Sequence, residues 1–342
     1  MKKRYSEEQI IGFLREADAG LPGAVWHAAA APTWAMAAAL LGGALAVAPL
    51  PWRLRALALP LMLPLVLPAV PRPAEGRFEL VAVDVGQGTA VLVRTQRHLL
   101  VYDAGPAFTP ESDAGSRVLV PLLRARGERE VSLLMLSHRD SDHVGGAGSL
   151  IGALPVRALS SSLAEGHPLL ALQPRVPPVP HRRCAAGQSW SWDGVRFEVL
   201  HPTAAEWSAT ARPNALSCVL KVGEGEQAVL LTGDIESPQE AALLARDPAA
   251  LRAGVLLVPH HGSRTSSGAA FLDAVAPRLA VVQAGYRSRF GHPAPDVLAR
   301  YAKRGIEVRR SDRCGAFTLL ASGEPRCERE AARRYWHHRP QP

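Results

Sequence analysis

Two stretches of this 342-residue chain lack charge altogether. Residues 24–51 contain no Asp, Glu, Lys or Arg, and residues 56–71 contain none either. Ala, Leu, Pro and Gly dominate the first. It is long enough for a bilayer, which takes about 20 apolar residues. It starts too late and runs too long to fit a cleaved secretory signal. The second stretch is shorter and carries Pro60, Pro64, Pro68 and Pro71. It spans only with help from neighbours, or lies partly in the interface. Between the two stands Trp52-Arg53-Leu54-Arg55. Arginines in a short loop favour the cytoplasmic side, and Trp suits the membrane boundary. With both stretches crossing an inner membrane, everything after Pro71 lies on its outer, periplasmic side.

Close cysteine pairs are also missing. Cys184, Cys218, Cys314 and Cys327 are too widely spaced for a cysteine-type zinc site. In an oxidising compartment Cys314 and Cys327 could bridge a hairpin, but four cysteines allow three pairings and spacing does not choose. Lysine is scarce beside arginine, and the formal net charge is +8. That balance suits a phosphate-rich partner or an anionic membrane surface. It equally suits GC-rich coding, so charge alone decides nothing.

What is present falls into four segments. Residues 1–22 are charged and helix-prone, with Ser6 placed to cap a helix. Residues 24–71 are the apolar, membrane-like part. Residues 72–76 form a linker. Residues 77–342 read as one soluble domain, within the one or two domains that the length allows. In that domain short apolar strands at 78–85, 90–94, 99–102 and 131–136 precede a helix near Asp142, with another helix at 118–126. A strand at 196–200 and a hairpin of 218–222 and 228–232 follow. Helices near 238–246, 268–275 and 294–304 then alternate with strands near 255–258, 279–283 and 307–310. Two runs of mixed strands with helices outside each predict an α/β, four-layer αββα sandwich. Residues 160–190 read as an exposed loop.

The densest chemistry lies in Ser137-His138-Arg139-Asp140-Ser141-Asp142-His143-Val144-Gly145-Gly146. Two histidines and two aspartates follow an apolar strand, where α/β proteins place their sites. Side chains of this kind repel and desolvate one another unless a cation holds them. Three more strand ends carry ligand-type residues: Thr232-Gly233-Asp234, Pro259-His260-His261-Gly262-Ser263 and Phe290-Gly291-His292-Pro293. One histidine at a strand end is ordinary. Their repetition in this order points to a metal centre.

This pattern resembles the metallo-β-lactamase superfamily over most of residues 77–321. The superfamily carries His-x-His-x-Asp-His, then a His, a bridging Asp and a final His. The chain offers His138, Asp140, Asp142, His143, Asp234 and His261 as the matching metal ligands. Asp140 replaces the second His. The intermediate His is missing, with Asn214–Leu220 standing in its place and His201 a weaker substitute. The resemblance implies two divalent ions. The added carboxylates favour Mn²⁺ or Mg²⁺ more than a His-rich zinc site would, and Zn²⁺ stays open. Such a cage suits phosphodiester hydrolysis. By the resemblance Asp234 bridges and Asp142 serves the reaction. His260 is a partner or alternative ligand to His261, His292 orients the phosphate or protonates the leaving group, and Asp103 orients a ligand histidine.

Four motifs in order look more narrowly like the ComEC family of DNA-internalisation competence proteins. They are Val83-Asp84-Val85-Gly86-Gln87-Gly88-Thr89-Ala90, the 137–146 loop, Pro259–Ser263 with Thr265-Ser266-Ser267, and Phe290–Pro293. Thr89 departs from the Asp of many members. The resemblance implies DNA as substrate, single-stranded or entering as duplex, at the inner membrane beside other competence proteins. Residues 1–20 resemble the start of an insertion-sequence transposase OrfA protein, which would make the chain a fusion to a truncated relative. A small-molecule hydrolase of the same fold, an inactive fragment and a DNA-binding regulator remain the competing expectations.

Overall fold

The computed structural model describes residues 31–67, 70–171, 179–208 and 210–334. The chain divides into two compact units, Met1–Ala69 and Val70–Pro342. The OrfA-like residues 1–20, and the whole 1–22 segment, lie outside the described residues.

In the first unit, apolar helices Thr33–Val47 and Ala58–Val66 flank a short turn of helix, Trp52–Arg55. Gly42 lets the two long helices touch, against Leu61 and Met62. Among the described residues no helix is long and apolar enough to cross a membrane. The expectation of one or two transmembrane helices is therefore not met among them. The 15 residues of Thr33–Val47 rise only about 22 Å, against a hydrocarbon core of about 30 Å. Prolines set that limit. Pro32 stands at the start of the first helix, and Pro49 and Pro51 follow its end.

The second unit holds two large sheets. The first runs, in spatial order, Pro325–Cys327, Phe317–Leu319, Glu79–Ala82, Val91–Arg94, Leu99–Tyr102, Leu133–Leu136, Leu159–Ser161 and His181–Arg183. The second runs Glu307–Arg310, Leu279–Val282, Val255–Leu257, Val229–Leu231, Val219–Val222, Val195–His201 and Ser189–Trp192. In both, antiparallel pairs give way to parallel ones: Leu99–Tyr102 with Leu133–Leu136, and Val229–Leu231 with Val255–Leu257. Parallel strands need cover on both faces. All four residues of Leu133–Leu136 and all three of Val255–Leu257 are buried.

Three separate cores follow from this. One lies between the sheets and includes Leu80, Tyr102, Met135, Phe197, Leu220 and Leu257. A second joins the first sheet to Leu119, Leu123, Leu150 and Ile151 of its helices. A third joins the second sheet to Leu243, Phe271, Val297 and Tyr301. Three interlayer cores make four layers, the αββα arrangement expected.

Residues 160–190 are not simply an exposed loop. They contribute the edge strand His181–Arg183 and a short helix, Pro168–Ala171. Strand Ser189–Trp192 goes unseen in the sequence because its exposure alternates with half-buried Trp190 and Trp192. The expected linker at 72–76 is tied down. Arg72 pairs with buried Glu128, and Gly76 N–H donates to the Asp193 carbonyl. Cys184 bridges to Cys218, and Cys314 to Cys327. The first bridge crosses from one sheet to the other inside their shared core.

Candidate metal centre

Strand Leu133–Leu136 ends in Ser137 and His138, and the short helix Ser141–Val144 then carries Asp142 and His143. Gly145 and Gly146 close that turn for a steric reason. A Cβ on Gly145 would strike the Ala107 nitrogen, and one on Gly146 the Ala104 carbonyl and the Gly115 nitrogen. From the other sheet, Val229–Leu231 leads to Asp234 and Val255–Leu257 leads to His260 and His261. Both histidines hold left-handed backbone, φ 48° and 53°. That conformation costs about 1–3 kcal/mol per residue and persists where the surroundings enforce it. It turns His261 inward, where it is buried, and leaves His260 at the rim.

The two sets converge. His143 Nε2 lies 3.2 Å from Asp234 Oδ1. His261 Nε2 lies 3.3 Å from Asp142 Oδ2 and 3.5 Å from Asp234 Oδ2. His138 Nε2 lies 4.0 Å from Asp234 Oδ2 and 3.6 Å from Asp140 Oδ2. Two triads could each hold an ion, His138–His143–Asp234 and Asp142–His143–His261, with ligand atoms within 4.8 Å of one another. Asp140 belongs to neither triad. Its side chain is 44% exposed, at the mouth beside His138.

The orphaned atoms test whether a cation fits. His138 Nε2, His143 Nε2, His261 Nε2 and Asp234 Oδ1 are buried without a hydrogen bond. The opposite ring nitrogens are all partnered. His138 Nδ1 meets Ser137 Oγ at 2.9 Å, His143 Nδ1 meets Asp103 Oδ2 at 2.7 Å, and His261 Nδ1 meets the Gln283 carbonyl at 2.8 Å. Those contacts fix each ring and aim its free nitrogen at one space, the outer-shell arrangement of metal sites. Buried polar atoms are not left bare without cause. The donor set fits divalent metal.

Electrostatics agree. Burial works against the His143 imidazolium, but Asp234 and Asp103 outweigh it and raise its pKa well above the ordinary value. Burial raises Asp234, yet His143 and His261 hold it well below the carboxylate range. Asp142 is likewise raised by burial but carried down to about 2 by His261 and His143. Anionic carboxylates thus face the ligand nitrogens, as a cation site requires.

Asp103, at φ 58°, accepts from Ser137 N–H at 2.6 Å and Ser137 Oγ at 2.7 Å besides contacting His143. His292 stands at the entrance. Its ring centroid is 6.3 Å from that of His261, and its Nδ1 is buried and unpartnered. Burial, then His261 and His260, push it down to about 4. His201 is engaged elsewhere, with Nδ1 at 2.8 Å from the Ser217 carbonyl and Nε2 at 3.7 Å from Glu206.

Sequence reasoning missed the residue in the intermediate histidine's place. Ser217 is fully buried, its Oγ 3.4 Å from His138 Nδ1, and it accepts from Asp234 N–H at 3.1 Å. Its segment stands where a ligand was expected, and a lone hydroxyl there was the available signal. Thr89 serves through its backbone, donating N–H to the Asp142 carbonyl at 3.0 Å.

Residues 83–286 match the family described as "Metallo-beta-lactamase superfamily". The chain belongs to that superfamily. It is 36% identical over 259 residues to "Competence protein ComA" of Neisseria gonorrhoeae, covering 75% of this chain and 34% of that one. It is 33% identical over 254 residues to "Uncharacterized protein YcaI" of Escherichia coli, covering 74% and 31%. It is 31% identical over 260 residues to "ComE operon protein 3" of Bacillus subtilis, covering 71% and 33%. The chain spans about a third of the length of these curated relatives. A metallo-β-lactamase fold and similarity to competence proteins thus stand together in one unit.

Proposed function

We propose that the chain is a ComEC-like hydrolase that cuts phosphodiester bonds of the DNA strand not carried inward during uptake. The carboxylate-rich ligand set carries this reading. Asp142 and Asp234 line the cage, Asp140 stands at its mouth, and the segment where the intermediate imidazole is expected supplies buried Ser217 behind His138. Hard oxygen donors favour Mn²⁺ or Mg²⁺, and Zn²⁺ is the alternative. Divalent ions held there would supply Lewis acidity and a water nucleophile near neutral pH.

The chain's own residues would do the rest. His138, His143, His261, Asp142 and Asp234 would hold the ions, with Asp140 closing the outer side. Asp103 keeps His143 oriented through its Nδ1. His292, neutral near pH 7, would offer a ring nitrogen to a phosphate oxygen and position the bond to be cut. Similarity to a competence protein and a ComE operon protein supports DNA as the substrate. Two disulfides support the oxidising, periplasmic face of the inner membrane. Other competence proteins would supply the rest of the transport path.

The test is hydrolysis of a labelled single-stranded oligonucleotide by the full chain with Mn²⁺, Mg²⁺ or Zn²⁺. An Asp142→Ala control and a chromogenic β-lactam run in parallel. Cleavage that needs metal and Asp142 is expected. Turnover of the lactam with no cut in the oligonucleotide would overturn the proposal in favour of a small-molecule hydrolase.

A further inference from the structure

The loop after strand Leu279–Val282 reads Gly285-Tyr286-Arg287-Ser288-Arg289-Phe290-Gly291-His292 and contains no acidic residue. Tyr286 and Phe290 are 47% and 55% exposed. Single exposed apolar residues are ordinary, but these two are arranged. The Arg287 guanidinium lies 5.3 Å from the Tyr286 ring centre, and that of Arg289 lies 4.8 Å from the Phe290 ring centre. Phe290 stacks on His292, centroids 5.9 Å apart at 28°. His292 in turn stacks on His261 at 6.3 Å and 24°. A ladder of three rings therefore climbs from the cage to solvent.

The loop is braced. Gln87 Oε1 accepts from Gly285 N–H at 3.3 Å and from Ser288 Oγ at 2.8 Å. Ser288 Oγ also accepts from Phe290 N–H at 3.3 Å. A braced loop has little ordering entropy left to lose on binding. No carboxylate pairs with Arg287 or Arg289 among the described residues. Flat rings covered by guanidinium groups without a carboxylate partner match alternating bases and phosphates, because each guanidinium can swing from the ring to a phosphate as a base takes its place.

We infer that residues 286–290 form a stacking platform that receives the bases of an unpaired nucleic-acid strand and sets its phosphodiester over the metal centre. The inference rests on the phosphodiester reading above. Bases in a duplex are already stacked and cannot lie on Phe290, so the platform selects single strands over duplex.

Binding is measured by fluorescence anisotropy, with a short oligothymidylate and a duplex of equal length, on the full chain stripped of metal so that nothing is cut. Tyr286→Leu/Phe290→Leu keeps the apolar bulk and removes the rings. It should weaken strand binding by roughly 5- to 100-fold per base that stacks and leave duplex binding unmoved. Arg287→Gln/Arg289→Gln should lower the slope of log affinity against log salt by about 1.4. Strand binding unchanged in both variants would overturn the platform, as would a loss confined to vesicles of anionic phospholipid. Failure of the wild-type chain to cut thymidine 5′-(p-nitrophenyl phosphate), with ring-dependent strand binding intact, would instead overturn the phosphodiester reading alone.

Discussion

The two candidate triads share His143 and differ in what surrounds them. One adds Asp142 and buried His261, a compact set drawn from both sheets. The other adds His138 and Asp234, with exposed Asp140 at the mouth and Ser217 behind His138. Ser217, in the segment where an imidazole is expected, touches His138 Nδ1 and adds no imidazole to that triad. The difference leads us to expect a tighter ion on the Asp142 side and a more exchangeable one on the His138 side.

The comparison breaks most completely at Asp234, the carboxylate expected to bridge. Asp234→Asn should empty both positions and cost more than the roughly 10- to 100-fold loss typical of a supporting residue. Elemental analysis reads the ions directly, and two retained equivalents would sink the bridge. Next comes the contrast of Asp142→Ala with Asp140→Ala. The first should abolish the tight equivalent, and the second should weaken only the loose one. Equal losses would erase the distinction drawn here. Asp103→Asn leaves every ligand in place but frees the His143 ring. Metal affinity should fall about 10- to 100-fold, followed by titration with a chelating dye. Ser217→Ala should be milder, a loss of about 1 kcal/mol in stability with a weaker second equivalent only.

A site remote from the cage separates folding from metal loss. Asp193 is buried and binds Thr95 Oγ1, Arg97 N–H and Nε, and His98. Burial would raise its pKa, but those partners hold it well below the carboxylate range. A depressed folded pKa contributes stability above the unfolded value of about 3.9, and that stability is lost as pH falls below it. Asp193→Ala should cost about 1.5–3 kcal/mol at neutral pH, leave metal content unchanged and flatten the acid limb of the unfolding curve. A variant that also loses metal would show that the two regions are not independent.

Much of this was legible from the chain itself. The strands at Leu99–Tyr102 and Glu307–Arg310 fell where apolar or β-prone runs predict, and the hairpin at 218–232 followed its Gly-rich turn. The 137–146 loop, Asp234 and His261 announced a cage because each follows an apolar strand. Two things were hidden. Ser217, Gln87 and Gln283 act through hydrogen bonds to distant segments, and no local pattern marks such partners. Of the apolar stretch at 24–51, the described helix runs only from Thr33 to Val47, between prolines that composition does not weigh. The cysteine pairing was also beyond spacing, since Cys184–Cys218 depends on which strands face each other across the core.

The cage is also a joint. The sheets share a core and the Cys184–Cys218 bridge, and the ligands are divided between them too: His138, Asp142 and His143 come from one half, Asp234 and His261 from the other. An ion bound there is a rivet through both plates. Any slip of one sheet over the other spoils the coordination before it disturbs either core, so ion occupancy gauges how well the halves are seated. Ion binding adds to stability in proportion to the logarithm of ion concentration. Starvation for metal would then loosen the ligand end of the seam, with the shared core and the disulfide still in place.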